Sequence, residues 1–392
     1  MAHDAPAPEA TPPSATRANP LAEAAAGRRV VLGHDWLTGM RGGERVLSLF
    51  CEAFPGAPLA TLLANPAAVS PVIRDREIVT SFLQRIPGVA RHYRKLLPLM
   101  GRAARTLPIP EGDLLLTTSS CVAHAFEPPP GMKMLCYCFT PMRYAWLFPR
   151  DYLGPVRATL AAPYLAHLRR WDRAHAVRPD RFVALSQHVR ARIRDFFGRE
   201  SDVVYPPVDT ARCTPAPDGG AGNGGYDLVV SALVPYKRVD LAVAAYARLG
   251  YPLKVVGVGG EAARLARHAP PNVEFLGWRG DDEVLDLYRN CRLLVFPGEE
   301  DYGIVPLEAM ACGKPVVAFG RGGATETVVD GATGLFFAEQ TPDALCEAVS
   351  RAAGADWDRA AIRARAERFG VAQFLEGMAA SIRKCLDGPR LD

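Results

Sequence analysis

The chain has 392 residues, of which 49% are hydrophobic and 22% charged, and this ordinary globular composition excludes global disorder. Lysine and arginine number 46, aspartate and glutamate 42, and a formal net charge of +4 is too small to indicate a nucleic-acid-binding protein. No stretch approaches the roughly 18 apolar residues of a membrane span. The nine scattered cysteines indicate reduced thiols in a cytoplasmic enzyme.

The chain begins with a segment that has little to bury. Residues 1–27 are rich in alanine and proline and contain no aromatic residue. They also lack the basic start and apolar core of a signal peptide. We therefore predict a disordered tail over residues 1–27, with ordered structure starting near Arg29.

Short apolar runs then alternate with helical patterns. RRVVLGHDW, DLLLTTSS, MKMLCYCF and RFVALS are typical of buried strands, and GERVLSLFCEAF and residues 156–175 of helices. This alternation predicts a parallel sheet in a Rossmann-like domain over residues 28–205. Residues 206–225, dense in proline and glycine, predict a flexible linker.

The alternation resumes after the linker. Runs such as YDLVVSALV, PLKVVGVGG, RLLVFPG and KPVVAFG, with helical patterns between them, predict a second Rossmann-like domain over residues 226–371. Residues 372–392 predict a C-terminal helix that returns to the first domain. The fold class is therefore α/β, with two parallel sheets facing an interdomain cleft. In such sheets the loops after the strands carry the chemistry.

The most informative of these loops runs from Pro297 to Ala318, PGEEDYGIVPLEAMACGKPVVA. We predict that Glu300 lies after a strand and that Glu308 lies in the first turn of a helix beginning near Pro306. The two carboxylates, with the amides of Gly303 and Ile304, would suit a polyhydroxylated ligand. Two solvated surface acids are the plainer alternative.

Two further segments suit phosphate. Lys237, in VPYKRVD, follows a predicted strand and would meet a diphosphate as a point charge, unless it is an ordinary lysine at a helix start. Gly42 and Gly43, in GMRGGERV, would let backbone amides approach a ligand, unless they form a plain strand-to-helix turn.

One motif points to a different class of enzyme. Gly257, Gly259 and Ala262 form G-x-G-x-x-A after a predicted strand, as in NAD(P)-binding proteins. The acidic partner of that motif would be Glu274, which lies inside a predicted strand instead of at its end. The motif is also in the second domain, which makes a dinucleotide a minor alternative.

In their order along the chain, these segments resemble the family 4 retaining glycosyltransferases of the GT-B fold, whose E-x7-E signature matches Glu300 and Glu308. The resemblance covers nearly everything after the tail. TPMRYAW and VPYKRVD look most like bacterial mannosyltransferases of O-antigen and exopolysaccharide assembly. This resemblance implies GDP-mannose as the first candidate donor and a UDP-sugar as the second, with no metal and no other cofactor.

The resemblance also implies roles for individual residues. Glu300 would lie at the donor sugar and Glu308 at the ribose, while Lys237 would meet the diphosphate. The family's arginine before this lysine is absent, and Arg238 is a candidate replacement. The remaining implied donor-side positions are Gly42, Gly43, Gly257, Trp278, Gly303, Ile304, Gly322 and Gly323.

The catalytic region of the first domain is less well specified. Family members commonly have a histidine after a strand in mid-domain, and here His124 and His34 are both candidates. A structural histidine is the alternative for each. The closest subgroup has a histidine where this chain has Phe139. Arg143, in TPMRYAW, is a candidate for an acceptor phosphate.

One basic segment of the first domain indicates binding to a membrane surface. No acidic residue occurs between Glu77 and Glu111, whereas cations alternate there with leucines and Met100. A basic amphipathic helix of this kind can dock on anionic lipid, although a solvated basic face is the plainer alternative. The cations are Arg85, Arg91, Arg94, Lys95, Arg102 and Arg105.

We therefore predict a retaining glycosyltransferase of bacterial surface polysaccharide biosynthesis. It would act on a lipid-linked or saccharide acceptor, be cytoplasmic or peripheral on the inner face of the plasma membrane, and have no nucleic-acid partner. A GT-B sugar-nucleotide epimerase and an NAD(P)-dependent oxidoreductase are the alternatives.

Overall fold

The structure is a computed structural model that describes residues 19–147, 154–217 and 225–391. These residues form two compact units. The first comprises the chain up to Tyr205 together with the segment from Phe374 onward, and the second runs from Pro206 to Gln373. Part of the predicted linker, residues 218–224, lies outside the described residues.

The first unit is built on a seven-stranded parallel sheet with the strand order β3-β2-β1-β4-β5-β6-β7. Its central strands are buried on both faces, which explains their continuous apolar sequences. The strands are β1 (Val30–His34), β2 (Leu59–Thr61), β3 (Ile78–Thr80), β4 (Leu114–Ser119), β5 (Lys133–Cys138), β6 (Arg181–Ala184) and β7 (Ser201–Val203).

Helices connect these strands and cover the sheet. The predicted helical run over residues 156–175 is two helices, separated at Ala161. The described helices are α1 (Pro20–Ala25), α2 (Gly42–Ala53), α3 (Pro71–Arg74), α4 (Val89–His92), α5 (Leu97–Arg105), α6 (Arg143–Trp146), α7 (Pro155–Leu160), α8 (Ala162–His175) and α9 (Gln187–Arg192).

The first helix corrects the prediction for the N-terminal segment. Residues 1–18 lie outside the described residues, but residues 20–25 form α1, so disorder over 1–27 is wrong for this part. The Asn19 side chain accepts hydrogen bonds from the amides of Leu21 and Ala22, which caps the helix. Leu21, Ala24 and Ala25 are buried. One leucine and two alanines therefore form the buried apolar face of α1, which the composition of the segment did not predict.

The second unit repeats the same plan. Its six-stranded parallel sheet has the order β10-β9-β8-β11-β12-β13. The strands are β8 (Asp227–Val230), β9 (Leu253–Val256), β10 (Val273–Gly277), β11 (Leu294–Phe296), β12 (Val316–Phe319) and β13 (Gly334–Phe337). The helices are α10 (Val239–Leu249), α11 (Ala262–Arg267), α12 (Asp281–Asn290), α13 (Ile304–Ala311), α14 (Ala324–Thr327), α15 (Pro342–Ala353) and α16 (Arg359–Glu367).

The last helix, α17 (Val371–Asp387), ends in the first unit. Phe374 packs against Phe50 and Tyr137, with 5.7 Å between ring centroids in each pair. Further along, Ser381 and Lys384 both contact the carboxylate of Asp202. Buried aromatic packing and these polar contacts tie the end of the chain to the first unit.

Both sheets have the strand order of the Rossmann fold, so each has a switch point where the order reverses. In the first sheet this point lies between β1 and β4, and in the second between β8 and β11. The loops that follow these strands are thus the expected places for ligands. Among the described helices, none is both long and apolar enough to cross a membrane.

Candidate functional site

A lysine and a glutamate meet at the switch point of the second sheet. Lys237 ends a single helical turn, Pro235–Lys237, in the loop after β8, and Glu300 lies in the loop after β11. The Lys237 ammonium forms an ion pair with the Glu300 carboxylate, and the two side chains are 14% and 19% exposed. A shielded charge pair in this position is suited to a ligand with both phosphate and hydroxyl groups.

Close backbone contacts bring these two loops together. A Cβ atom on Gly298 would lie 2.9 Å from the Cα atom of Lys237, so only glycine allows this approach. The Gly323 amide donates to the Glu300 carbonyl at 2.8 Å, and a Cβ on Gly322 would lie 2.5 Å from that carbonyl oxygen. Gly322 and Gly323 therefore fix the backbone around Glu300.

Glu308 lies two residues deeper in its helix than predicted. Helix α13 begins at Ile304, after Gly303 with φ of +91°, and not near Pro306. Glu308 is consequently in the second turn, and the prediction of a first-turn carboxylate is wrong. Its Oε2 atom accepts a hydrogen bond from the Tyr288 hydroxyl at 2.9 Å.

Tyr288 is a site residue that the sequence did not reveal. It lies in α12 and is fully buried, and burial, with the charge of Glu308, raises the pKa of its phenol. The hydroxyl therefore stays protonated and donates to the carboxylate. A tyrosine in an amphipathic helix looks like an ordinary core residue, so its partner becomes visible only in three dimensions.

Arg238, the candidate replacement for the missing arginine, is engaged elsewhere. Its guanidinium bonds both carboxylate oxygens of Asp240 and donates to the Gln340 side chain at 3.2 Å. Gln340 in turn donates to the carbonyl of Pro297 at 2.9 Å. This chain of contacts braces the loops that carry Lys237 and Glu300, so Arg238 is placed to support the site.

The G-x-G motif of the second unit has a packing role. Cβ atoms on Gly257 and Gly259 would lie 1.8 and 2.1 Å from the carbonyl oxygens of Ser231 and Leu233. The motif follows β9, whereas a dinucleotide motif follows the strand at the switch point, and Glu274 is inside β10. The geometry therefore gives the dinucleotide alternative no support.

The predicted donor-side residue Trp278 follows β10, and it is 57% exposed.

In the first unit, His34 lies at the switch point. It ends β1 directly opposite Thr118 of β4, and its Nδ1 atom is 2.6 Å from the Thr118 hydroxyl. That hydroxyl donates to the Gly33 carbonyl at 3.2 Å, so it accepts from Nδ1 and places the proton there. The Nε2 atom faces Glu44 at 3.9 Å. The hydrogen bond at Nδ1 thus orients the His34 ring.

Asp35, the next residue, organises this part of the site. Its buried carboxylate accepts hydrogen bonds from the amides of Ser120, Cys121, Val122 and Ala123 and from the Ser120 hydroxyl. A single carboxylate therefore holds the whole loop after β4. We did not single out Asp35 from the sequence, although an acidic residue directly after a buried strand was the available signal.

The structure does not support His124 as a catalytic residue. Its ring is buried, stacks on Phe197 with 5.3 Å between centroids, and has its Nε2 atom 3.3 Å from the Asp172 carboxylate. Burial lowers the pKa of His124 to about 4 and raises the pKa of Asp172 to about 8. Both shifts reflect the cost of a charge in an apolar interior. His34 ends a strand at the switch point, whereas the His124 ring, in the loop after β4, is enclosed by Trp171, Phe182 and Phe197.

The glycine loop and the segment after β5 also reach this region. Gly42 and Gly43 are the first two residues of α2, and a Cβ on Gly43 would lie 3.6 Å from the His34 ring and 3.2 Å from Phe139. The Glu44 carboxylate accepts from the Arg41 amide at 3.1 Å and so caps α2. Arg143 begins α6 and is half-buried.

Comparison with known proteins first defines the fold. HepE from Anabaena, solved with UDP, superposes with a TM-score of 0.63 at 19% sequence identity, covering 90% of this chain and 99% of HepE. This similarity confirms the predicted fold class, two Rossmann-like domains of the GT-B type.

The sequence comparisons then indicate the kind of protein. Residues 222–369 match the family described as Glycosyl transferases group 1. A glycosyltransferase of Methanocaldococcus jannaschii is 30% identical over 43% of this chain and 48% of its own length. The GDP-mannose-dependent alpha-(1-6)-phosphatidylinositol monomannoside mannosyltransferase of Mycolicibacterium smegmatis is 34% identical over 42% and 50%.

The chain thus spans about half the length of these curated relatives. The similarities support a glycosyltransferase of the GT-B type. They give no support for an epimerase.

Proposed function

We propose that the chain is a retaining glycosyltransferase that moves a sugar from a nucleoside diphosphate sugar to an acceptor. One observation carries this proposal. Lys237 forms an ion pair with Glu300 at the switch point of the second sheet, and the loop of Glu300 leads into the helix that carries Glu308. The second unit therefore contains a cation that can bind phosphate, a carboxylate that can bind sugar hydroxyls and a second carboxylate that can bind a ribose.

Each group has a distinct task in the proposed reaction. Lys237 and the N-terminal end of α13 neutralise the charge that grows on the departing diphosphate. Glu300 holds the sugar through its hydroxyls, and Glu308, oriented by Tyr288, holds the ribose. The acceptor attacks the face that the diphosphate leaves, through an oxocarbenium-like state. The departing phosphate takes the acceptor proton, and this gives retention of configuration.

We propose GDP-mannose as the first candidate donor and a UDP-sugar as the second. The mannosyltransferase named above uses GDP-mannose, and HepE was solved with UDP.

A thermal-shift panel of GDP- and UDP-sugars, with NADH as the matched control, tests the donor class. A donor at 100 times its Kd should add about 2.7 kcal/mol of stability. We expect one sugar nucleotide to raise Tm by several degrees and NADH to leave it unchanged. A shift with NADH alone would overturn the proposal.

For the acceptor, we propose a lipid-linked molecule at a membrane surface, in bacterial surface polysaccharide biosynthesis. All six cations between Arg85 and Arg105 are exposed, which is consistent with docking on anionic lipid. The apolar residues among them mostly face inward, because Leu96, Leu97 and Met100 pack against the core. Leu99 is exposed, so the docking that we propose is mainly electrostatic with little apolar contact.

Replacing Arg91, Arg94 and Lys95 together with glutamine should weaken binding to anionic vesicles. At about 1 kcal/mol per cation, the loss is roughly 3 kcal/mol, or more than a hundredfold. Co-sedimentation with anionic and neutral vesicles at two salt concentrations measures it. The matched control replaces three exposed cations of the second unit, Arg267, Arg351 and Arg368. Equal loss in both triple variants, or equal binding to neutral vesicles, would contradict a docking face in this window.

A further inference from the structure

The first unit contains a cavity that the proposed donor site does not use. It lies between α5 and α8 and has a volume of about 540 Å³. Leu97 and Pro98 from one helix and Leu168 and Trp171 from the other supply apolar walls. The volume is within the range of roughly 300–1,000 Å³ that is usual for small-molecule sites.

The cavity adjoins the loops at the carboxyl ends of the first sheet. Val122 and Met142 line it, and the Val122 amide is one of the donors to Asp35. Met142 directly precedes Arg143, the candidate acceptor-side residue. A molecule in the cavity would therefore lie beside the loops that Asp35 and His34 organise.

Six of the residues that line this cavity are polar or charged, and two of them distinguish it from a simple packing defect. Tyr164 lines the cavity, and its hydroxyl is shielded from solvent and has no hydrogen-bond partner among the described residues. Such a group costs stability unless a ligand or a water pairs with it.

The second polar group is at the rim. Arg102 is exposed and has no ion pair within the described part of the chain, whereas its neighbour Arg105 pairs with Glu127 at 3.3 Å. Glu127 also pairs with Arg178, so its charge is already shared between two arginines. The rim thus presents a cation without an ion pair above walls that are partly apolar, which complements an anionic head on a hydrocarbon chain.

We infer that this cavity binds the hydrocarbon chain of a lipid-linked acceptor, with the acceptor's phosphate at Arg102. The inference deepens the proposed function, and its reference to an acceptor rests on that function. The binding of an anionic amphiphile does not rest on the proposed function, because that binding depends only on the cavity.

The experiment titrates decyl phosphate, below its micellar concentration, into the full chain by calorimetry, with decanol as the neutral probe. We expect saturable binding of decyl phosphate and weaker binding of decanol. Arg102→Gln should reduce decyl phosphate affinity about tenfold, as expected for one lost charged hydrogen bond. The matched control is Arg170→Gln, an exposed arginine of α8 that does not line the cavity. Equal affinities for the two probes, or equal effects of the two variants, would overturn the inference.

A second variant separates the cavity from the membrane surface. Thr106 is exposed on the cavity wall, and Thr106→Trp should block decyl phosphate binding with little effect on Tm. Its co-sedimentation with anionic vesicles should be unchanged. If Thr106→Trp lost vesicle binding together with decyl phosphate binding, the inference of a cavity for the hydrocarbon chain would be overturned. The region would then be a surface that docks on the membrane. Decyl phosphate binding without transfer from any sugar nucleotide would instead contradict the proposed transferase and leave the cavity site standing.

Discussion

Replacing Lys237 with alanine is expected to lower kcat/KM for sugar transfer by 10²–10³, on the order of 2.7–4 kcal/mol of transition-state stabilisation. Negative charge grows on the diphosphate as the sugar leaves, and this ammonium is the cation at the switch point that we propose meets it. Its removal also leaves the Glu300 carboxylate without this partner, next to the phosphates.

The neighbouring residue provides the matched control for this experiment. Arg238→Ala removes a cation of the same loop whose guanidinium is bonded to Asp240 and Gln340. We expect it to lower kcat/KM less than about tenfold, through looser bracing of the loop. Equal losses in the two variants would mean that Arg238 does replace the missing family arginine. Full activity of Lys237→Ala would contradict the proposed role of the lysine.

Replacing Asp35 with alanine is expected to destabilise the first unit by roughly 3–5 kcal/mol, because it breaks a buried network of charged hydrogen bonds. Four amides and one hydroxyl would lose their acceptor in a place that water does not reach freely. Urea unfolding, followed by circular dichroism, measures the change.

Ser120→Ala is the control, because it removes only the hydroxyl contact, 3.0 Å long, and leaves the four amides in place. A loss near 1 kcal/mol is expected for it. If Asp35→Ala were no more destabilising than Ser120→Ala, the carboxylate would not hold the loop after β4. The activity of a folded Asp35 variant should also fall, because this loop adjoins His34.

The alternation of apolar runs predicted both sheets, since strands buried on two faces show continuous apolar sequence. It did not reveal β2, β3 and β7, which are only three residues long in the structure. Runs of that length carry no periodicity, and their pairing with a neighbouring strand stabilises them instead. Helix α1 was missed for a related reason, since one leucine and two alanines suffice for its buried face.

Within the candidate site, the sequence predicted which loops carry the charged groups but not how they are oriented. Strand ends predicted Lys237 and Glu300, because parallel strands bring their carboxyl ends to one edge. Tyr288 and Asp35 escaped prediction, since each acts through a contact distant in sequence. The histidines show the same limit: His34 ends one strand and His124 follows another, and only packing shows that His124 is enclosed by aromatic rings.

The most direct test of the account is calorimetric titration of GDP and UDP into the wild-type chain and into Glu308→Gln. The account places a ribose on this carboxylate, which Tyr288 orients through a hydrogen bond of 2.9 Å. We predict that one nucleotide binds the wild type and that Glu308→Gln weakens it by roughly 1–3 kcal/mol, or about 5- to 150-fold. Unchanged affinity in the variant, or no binding of either nucleotide to the wild type, would contradict a nucleotide-sugar site in the second unit.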